Sequence, residues 1–268
     1  MNPDYGVEFL NRVNSYTNTA EANDRVFAEF TAMTAADPLL AGHRRHVEEH
    51  KLGFGDPAFH ALWRGLLAAA SAQFDRVDAL EIGVFKGQVI SLWSLLAREH
   101  KWPVRVHAIA PLTGHPLPKW RWLTSLLFRI NPHFRERVKT GNFHSEEDYE
   151  TAIRSHFAHY ELSFDDVRLV RGYSTDAEVQ AAVADDQFHV VYIDGDHTFA
   201  GASADITHYA PKVKTGGWLV MDDAAFDLPG TTYWKGYESV ARACRALPAL
   251  GFENSINIGH NRVFRRRT

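Results

Sequence analysis

The chain reads as an α/β protein: a doubly wound, mainly parallel sheet preceded by a helical cap and closed by a carboxy-terminal antiparallel hairpin. Three observations predict this. Between about residues 76 and 223, short apolar, β-branched runs alternate with stretches of helical periodicity, the pattern of parallel strands joined by crossovers. Two of those runs, FHVVYI at 188–193 and WLVM at 218–221, are apolar throughout, as strands covered on both faces are, and each ends in acidic residues. Residues 1–75 carry few strand signals, whereas two short runs near the end flank Gly259-His260-Asn261, a hairpin turn.

Taken in order, residues 1–75 form the cap. Asp56-Pro57 marks a helix start, with Asp56 as N-cap and Pro57 at the first helical position, and Phe59, Leu62, Trp63, Leu66 and Ala70 share one face. Strands follow at 77–82, 104–109 and 167–170, with helices at 89–97 and 177–183. Phe199, Ala202, Ile206 and Tyr209 recur at helical spacing between the two acidic-ended strands, which suits a crossover joining parallel neighbours. A lid insertion interrupts the alternation at about 111–165. Its first part holds Pro111, Gly114, Pro116 and Pro118 and cannot be regular. Its second part, 119–139, carries six Lys or Arg against one Glu, interleaved with Trp120, Trp122, Phe128 and Phe134. A helix at 237–247 precedes the hairpin, and Arg265 to Arg267 read as a basic tail. Residues 76–268 thus form the ligand-binding domain, and no internal repeat is visible.

With 268 residues, 45% of them hydrophobic, and a mean hydropathy of −0.29, the chain can bury a full core. A net charge of −4 and a pI near 6.4 argue against a nucleic-acid partner. Cys244 is the only cysteine, which excludes an internal disulfide and a cysteine-rich zinc site; on a helical face it is core filler. No segment approaches the roughly 20 apolar residues that span a bilayer, and MNPDYGVEFLNRV lacks a basic start followed by an apolar stretch. A soluble, cytoplasmic protein with no membrane partner is expected.

The chemistry concentrates in Asp194-Gly195-Asp196-His197 and Asp222-Asp223. Both clusters end strands, and open α/β sheets bind ligands at that edge. Carboxylates gathered there repel, and all-oxygen ligation by a hard cation such as Mg²⁺ or Ca²⁺ relieves the repulsion. The plainer reading is that these residues cap the turns that follow, and Asp196 suits a helix cap or supporting partner as well as a ligand. His43, His46 and His50 in HRRHVEEH have helical spacing, but the charges between them favour a solvated face over a metal site. Residues 79–87 read ALEIGVFKG: a strand, an acid, and two glycines four apart before a helix. Gly83 permits a tight turn and a close approach, and Gly87 opens the helix without an obstructing side chain. Glu81 stands where the dinucleotide fingerprint has its first glycine and would repel a pyrophosphate, so a dehydrogenase is disfavoured. A ligand with an ammonium group and no phosphates fits better.

At this loop the chain resembles the class I S-adenosylmethionine-dependent methyltransferases, and further matches in the right order extend the resemblance over about 76–266. It implies a Rossmann-like fold and S-adenosylmethionine held by Glu81, Gly83, Phe85 and Gly87, by Ser174 in the adenine-contacting loop 172–176, and by Asp194. Asp194, Asp222 and Asp223 are similar to the Mg²⁺ ligands of the metal-dependent branch, in particular the macrolide and aminocoumarin sugar O-methyltransferases. His197 matches the position of their base, three residues after the first metal aspartate. The chain departs at Ala110, where the family usually has an acid gripping the ribose.

The resemblance implies methyl transfer to a hydroxyl of a sugar, glycoside or oligosaccharide, such as a methylated mannoside, with His197 taking the proton and His144 as the reserve base. The lid's tryptophans and arginines suit sugar stacking and hydroxyl recognition; they equally suit a dimer surface or, less well, nucleic acid. Methylation of a phenolic or polyketide hydroxyl is the alternative, and a non-catalytic S-adenosylmethionine-binding protein a third. A small-molecule or oligosaccharide partner and a homodimer are expected.

Overall fold

The computed structural model of the chain describes residues 4–183, 185 and 187–267. Met1 to Pro3, the start of the segment read for a leader, lie outside them. Among the described residues seven strands form one sheet: β1 (Val77–Ile82), β2 (Val104–Ala110), β3 (Arg168–Arg171), β4 (Phe188–Ile193), β5 (Val213–Met221), β6 (Phe252–Ile258) and β7 (Asn261–Arg266). Their order is β3-β2-β1-β4-β5-β7-β6, with β1 to β5 parallel and β7 antiparallel to both β5 and β6. This is the Rossmann-like arrangement expected from the alternation. Every residue of β1 and β4 is buried, consistent with helices on both faces.

Among the described residues four helices precede the sheet: α1 (Tyr5–Ser15), α2 (Ala20–Ala36), α3 (Pro38–His50) and α4 (Ala58–Gln73). They form a layer on one face, where Phe9, Phe30, Leu62 and Trp63 share a core with Val77, Ala79, Val190 and Trp218. Asp37 opens α3 by accepting hydrogen bonds from the N–H groups of Leu39 and Leu40, with Pro38 at the first position. Asp56 was expected to do the same for α4; instead its side chain leaves the helix for His260, and no side chain caps that terminus.

The crossovers are α5 (Gln88–His100), the short α9 (Ala177–Ala181) and α10 (Phe199–Tyr209). Leu80, Val191, Leu219, Ile206 and Tyr209 pack together on the second face. The insertion contains α6 (Arg121–Ile130), α7 (Pro132–Lys139) and α8 (Tyr149–His159), while 111–120 forms none of the helices or strands, as its prolines dictate. The last helix, α11 (Glu238–Ala243), tightens into a 3-10 turn over Cys244–Leu250, so the single helix read over 237–247 is cut short. Cys244 is buried, its thiol pushed up to about 12 by burial. Arg265 and Arg266 are no tail: both belong to β7, with the Arg265 guanidinium over the Trp218 ring and Arg266 donating to the Pro211 carbonyl. Among the described residues no helix is long and apolar enough to cross a membrane.

The HRRHVEEH segment also differs from its reading. His43 is completely buried, because it shares a face with Leu40 and Val47, which point into the core. His43 Nδ1 meets His60 Nε2 at 3.0 Å, and His43 Nε2 and His156 Nε2 meet the Ser91 hydroxyl at 3.0 and 2.6 Å. His46 stacks on His159 with ring centres 3.8 Å apart. Burial, helped by neighbouring positive charge, pulls His60 and His156 from 6.5 to about 3 and holds His43 well below its ordinary value.

These neutral imidazoles make stability pH-dependent. The unfolded chain binds their protons near pH 6.5 and the folded chain only near 3, so the folded state loses stability as pH falls through that window. The slope is about 1.4 kcal/mol per pH unit for each histidine at most. Urea midpoints measured from pH 7 to 4 should fall, and His156→Gln, which keeps a partner for Ser91, should flatten the curve. A flat wild-type curve would contradict burial in the neutral form.

Candidate active site

The strand order reverses direction between β1 and β4, and the carboxyl ends of β1, β4 and β5 meet at that crevice. Backbone hydrogen bonds tie the ends together: Asp194 N–H donates to the Ile82 carbonyl at 2.9 Å and Asp222 N–H to the Ile193 carbonyl at 3.1 Å. Gly83 has φ +97°, and a Cβ on it would lie 1.9 Å from the Asp194 carbonyl oxygen, so no larger residue fits. Gly87 has φ +85° at the N-terminus of α5.

Two cavities open on this edge. The larger, about 550 Å³, contains Glu81, Asp222, Asp223 and His260 in its wall; the smaller, about 220 Å³, lies against Ala110 and the 172–175 loop. Gly83, Phe85, Asn142, His144, Asp194 and Gly195 line both, so the two are chambers of one site.

The acidic residues converge. One ligand atom each from Asp194, His197 and Asp222 lie within 4.8 Å of one another, and so do those of Asp222, Asp223 and His260. His197 Nε2 stands 3.3 Å from Asp194 Oδ1 and 3.4 Å from Asp223 Oδ2. Its Nδ1 is 3.2 Å from the Thr140 carbonyl, which only accepts, so Nδ1 carries a proton. Nε2 then faces the carboxylates. Burial and the neighbouring Asp222 and Glu81 charges push Asp194 well above the usual carboxylate range, and burial with Asp222 raises Asp223. Burial also works against ionisation of Asp222, but the His260 charge outweighs it and holds its pKa low.

His260 and Asp56 are the functional residues that sequence reasoning missed. His260 Nε2 lies 3.4 Å from Asp222 Oδ1 and 3.5 Å from Asp223 Oδ1, with Nδ1 3.5 Å from Asp56 Oδ2. Burial opposes its charge, but the Asp222, Asp56 and Asp223 carboxylates overcome that and raise it to about 10. The available signal was topological: β7 runs antiparallel to β5 with Met221 opposite Arg262, so the Gly259-His260 turn must return to the edge that carries Asp222.

Asp196 takes no part in the convergence. Its carboxylate accepts from Thr198 N–H at 2.8 Å and Asn142 Nδ2 at 3.1 Å, which shapes the start of α10 and anchors the lid loop. His144 enters from that loop with its ring 5.3 Å from Phe85, and burial followed by the His197 charge lowers its pKa. The tryptophans expected to stack on an acceptor line neither chamber; Trp120, at the start of α6, and Trp122, within it, are exposed, and no residue of that helix is buried. Trp234 and Tyr237 line the larger chamber instead.

Glu81 is 4% exposed, its Oε2 has no hydrogen-bond partner among the described residues, and burial pushes it to about 8 against the opposing Ile90 N–H. Such an oxygen suits a ligand ammonium. At Ala110 the wall offers no acid to ribose hydroxyls. Ser174 is held through its carbonyl, which accepts from Tyr209 Oη at 2.9 Å and Gln180 Nε2 at 3.1 Å.

A family model described as a methyltransferase domain matches residues 80–224. A comparison with the curated proteins finds no match. Solved structures with a similar fold include the O-methyltransferase NovP, with 19% identity over 78% of this chain and 79% of that chain and a TM-score of 0.56. A putative caffeoyl-CoA O-methyltransferase from Staphylococcus aureus has 14% identity over 86% and 92%, TM-score 0.54. The O-methyltransferase from Bacillus cereus in complex with SAH has 14% over 92% and 98%, TM-score 0.52. At these identities the likeness is one of fold.

Removing His260 leaves buried carboxylates without their counter-charge, which typically costs about 3 to 5 kcal/mol. His260→Leu should therefore lower the urea midpoint in chelator, and Asp222→Asn in the same chain should recover part of the loss. Equal midpoints for wild type and His260→Leu would show that His260 does not balance the cluster.

Proposed function

The chain belongs to this methyltransferase-domain family, and on that premise we propose that it is an S-adenosylmethionine-dependent O-methyltransferase acting on a hydroxyl of a sugar, glycoside or oligosaccharide, such as a methylated mannoside, with Mg²⁺ assistance. The observation that carries the reading is the convergence of Asp194, His197, Asp222 and Asp223 in a chamber continuous with the Glu81-to-Gly87 loop. The O-methyltransferases among the similar folds support the reaction class.

The residues fit both groups. Asp194, Asp222 and Asp223 would hold the cation: their carboxylates converge at the strand ends, with only the His260 imidazole facing Asp222 Oδ1, and a set rich in carboxylate oxygen suits Mg²⁺. When bound, the ion makes a coordinated hydroxyl easier to ionise. Glu81 takes the donor's ammonium, Gly83 and Phe85 border its path, and Ser174 borders the base. The acceptor oxygen attacks the methyl carbon, the carbon–sulfur bond breaks towards sulfur, and the hydroxyl proton leaves to His197 Nε2. His144 is the second base within the shared wall. Holding oxygen, carbon and sulfur in line supplies much of the rate, up to about 7 to 11 kcal/mol in favourable systems.

Sugar as the acceptor draws support from the mixture in the larger chamber: aromatic faces at Trp234 and Tyr237 beside polar groups at Asp56, Gln88 and Asn142. A phenolic or polyketide hydroxyl is the second reading, favoured by Phe54, which is 70% exposed with its ring 5.1 Å from Phe85. Transfer of labelled methyl to a panel of glycosides and phenols separates the two, and binding without transfer to either would mark a non-catalytic protein.

Asp222→Ala should lower turnover at least about 100-fold while leaving SAH affinity, measured by calorimetry, nearly unchanged. Excess chelator should do the same to wild type, reversibly on adding Mg²⁺. Full activity under either condition defeats the metal assignment.

A further inference from the structure

The site uses the inner part of the insertion, around residues 140–144, and leaves α6 without a role. Leu123, Thr124, Leu127 and Phe128 are half-buried on one side of that helix. On the other side Trp122, Leu126 and Ile130 recur at every fourth residue and are 64%, 44% and 66% exposed. Trp120, just before the helix, is equally exposed, and its ring lies 6.2 Å from that of Trp122 and 12° from parallel. Arg121, Ser125 and Arg129 form the adjoining exposed row. Large apolar side chains grouped on a water-facing helix mark contact with something outside the chain.

Charge decides what that is. Residues 119–139 hold six Lys or Arg against one Glu in a chain of net charge −4. Arg135 is engaged by the Phe128 and Arg129 carbonyls and lies over the Phe128 ring, whereas Lys119, Arg121 and Arg129 are exposed. The one acid, Glu136, is turned away, accepting from Phe199 N–H at 3.0 Å. A second copy docked face to face would bring the same cationic rows together, with no acid in either α6 to offset them. Single-stranded nucleic acid would pair the cations but leave Leu126 and Ile130 in water. A bilayer surface with anionic headgroups accommodates both: aliphatic side chains beneath the headgroups, tryptophans level with them, arginines on the phosphates. The rest of the chain, being acidic, is repelled by such a surface, which turns the basic segment towards it. Lying in the interface needs no 20-residue span, so the absence of one excludes crossing and not this contact.

We infer that α6 docks the protein on an anionic lipid surface, with Trp122, Leu126 and Ile130 inserted among the headgroups and Arg121 and Arg129 paired to lipid phosphate. The contact involves neither the methyl donor nor the metal, so it stands or falls apart from the activity proposed above.

The test is pelleting of the full chain with vesicles of phosphatidylcholine containing about one-third phosphatidylglycerol, compared with pure phosphatidylcholine. Affinity should be at least about tenfold higher for the anionic vesicles and should fall with added salt. Arg121→Gln/Arg129→Gln should lower it at least about tenfold, each cation near such a surface being worth about fivefold. Trp122→Ser/Ile130→Ser keeps the cations and should also lower it about tenfold or more, with little change in the urea midpoint because both side chains are exposed. Equal binding to the two vesicle types, or wild-type binding by either folded double variant, overturns the assignment. So does failure to bind the anionic vesicles; light scattering and a labelled single-stranded oligonucleotide then show whether a second copy or nucleic acid covers the face instead.

Discussion

Negative charge gathered at the ends of adjacent parallel strands has to be balanced, and the surroundings of that edge follow from how this chain does so. Parallel β1, β4 and β5 necessarily end on the same side, so Glu81, Asp194 and the Asp222-Asp223 pair come together whatever else the fold does. Asp223 adopts φ +53°, a left-handed conformation uncommon outside glycine, asparagine and aspartate. Two imidazoles arrive from outside the parallel sheet: His197 from the loop after β4 and His260 from the terminal hairpin. Tyr192 Oη donates to Asp194 at 3.4 Å, and Asp56 faces the far nitrogen of His260. The antiparallel hairpin thus does more than cover an edge strand. It carries a cation back to the ligand side of the sheet.

The same edge organises the insertion. Asn142 Oδ1 accepts from His197 N–H at 3.1 Å while its Nδ2 donates to Asp196, and the Thr140 carbonyl sets the His197 tautomer. Residues 140–142 therefore connect the lid to the loop that holds the proposed base. The exposed α6, with its tryptophans, stands outside this connection.

The expectation for HRRHVEEH failed for an instructive reason. The charged neighbours of His43 suggest a solvated face, but Leu40, His43 and Val47 follow the three- and four-residue spacing of a buried one. A histidine that finds another imidazole and a serine hydroxyl can occupy such a face in its neutral form. Asp56 failed in the opposite way: its local pattern is that of a cap, and a long-range partner 204 positions on, His260, drew it elsewhere.

What the sequence determined by itself was whatever period and strand ends encode: the alternating order, the parallel core, the glycine turn after β1, and the placing of acids at strand ends, because these depend on residues close together in the chain. That Asp194, Asp222 and Asp223 lie on one edge follows from those local facts plus the rule that crossovers keep strands parallel. Only the tertiary structure decided which polar groups meet. His260 reaches Asp222, and the tryptophans of the insertion stay outside while Asn142 and His144 turn inward. Each depends on packing between elements far apart in sequence, where local pattern carries no information about distance.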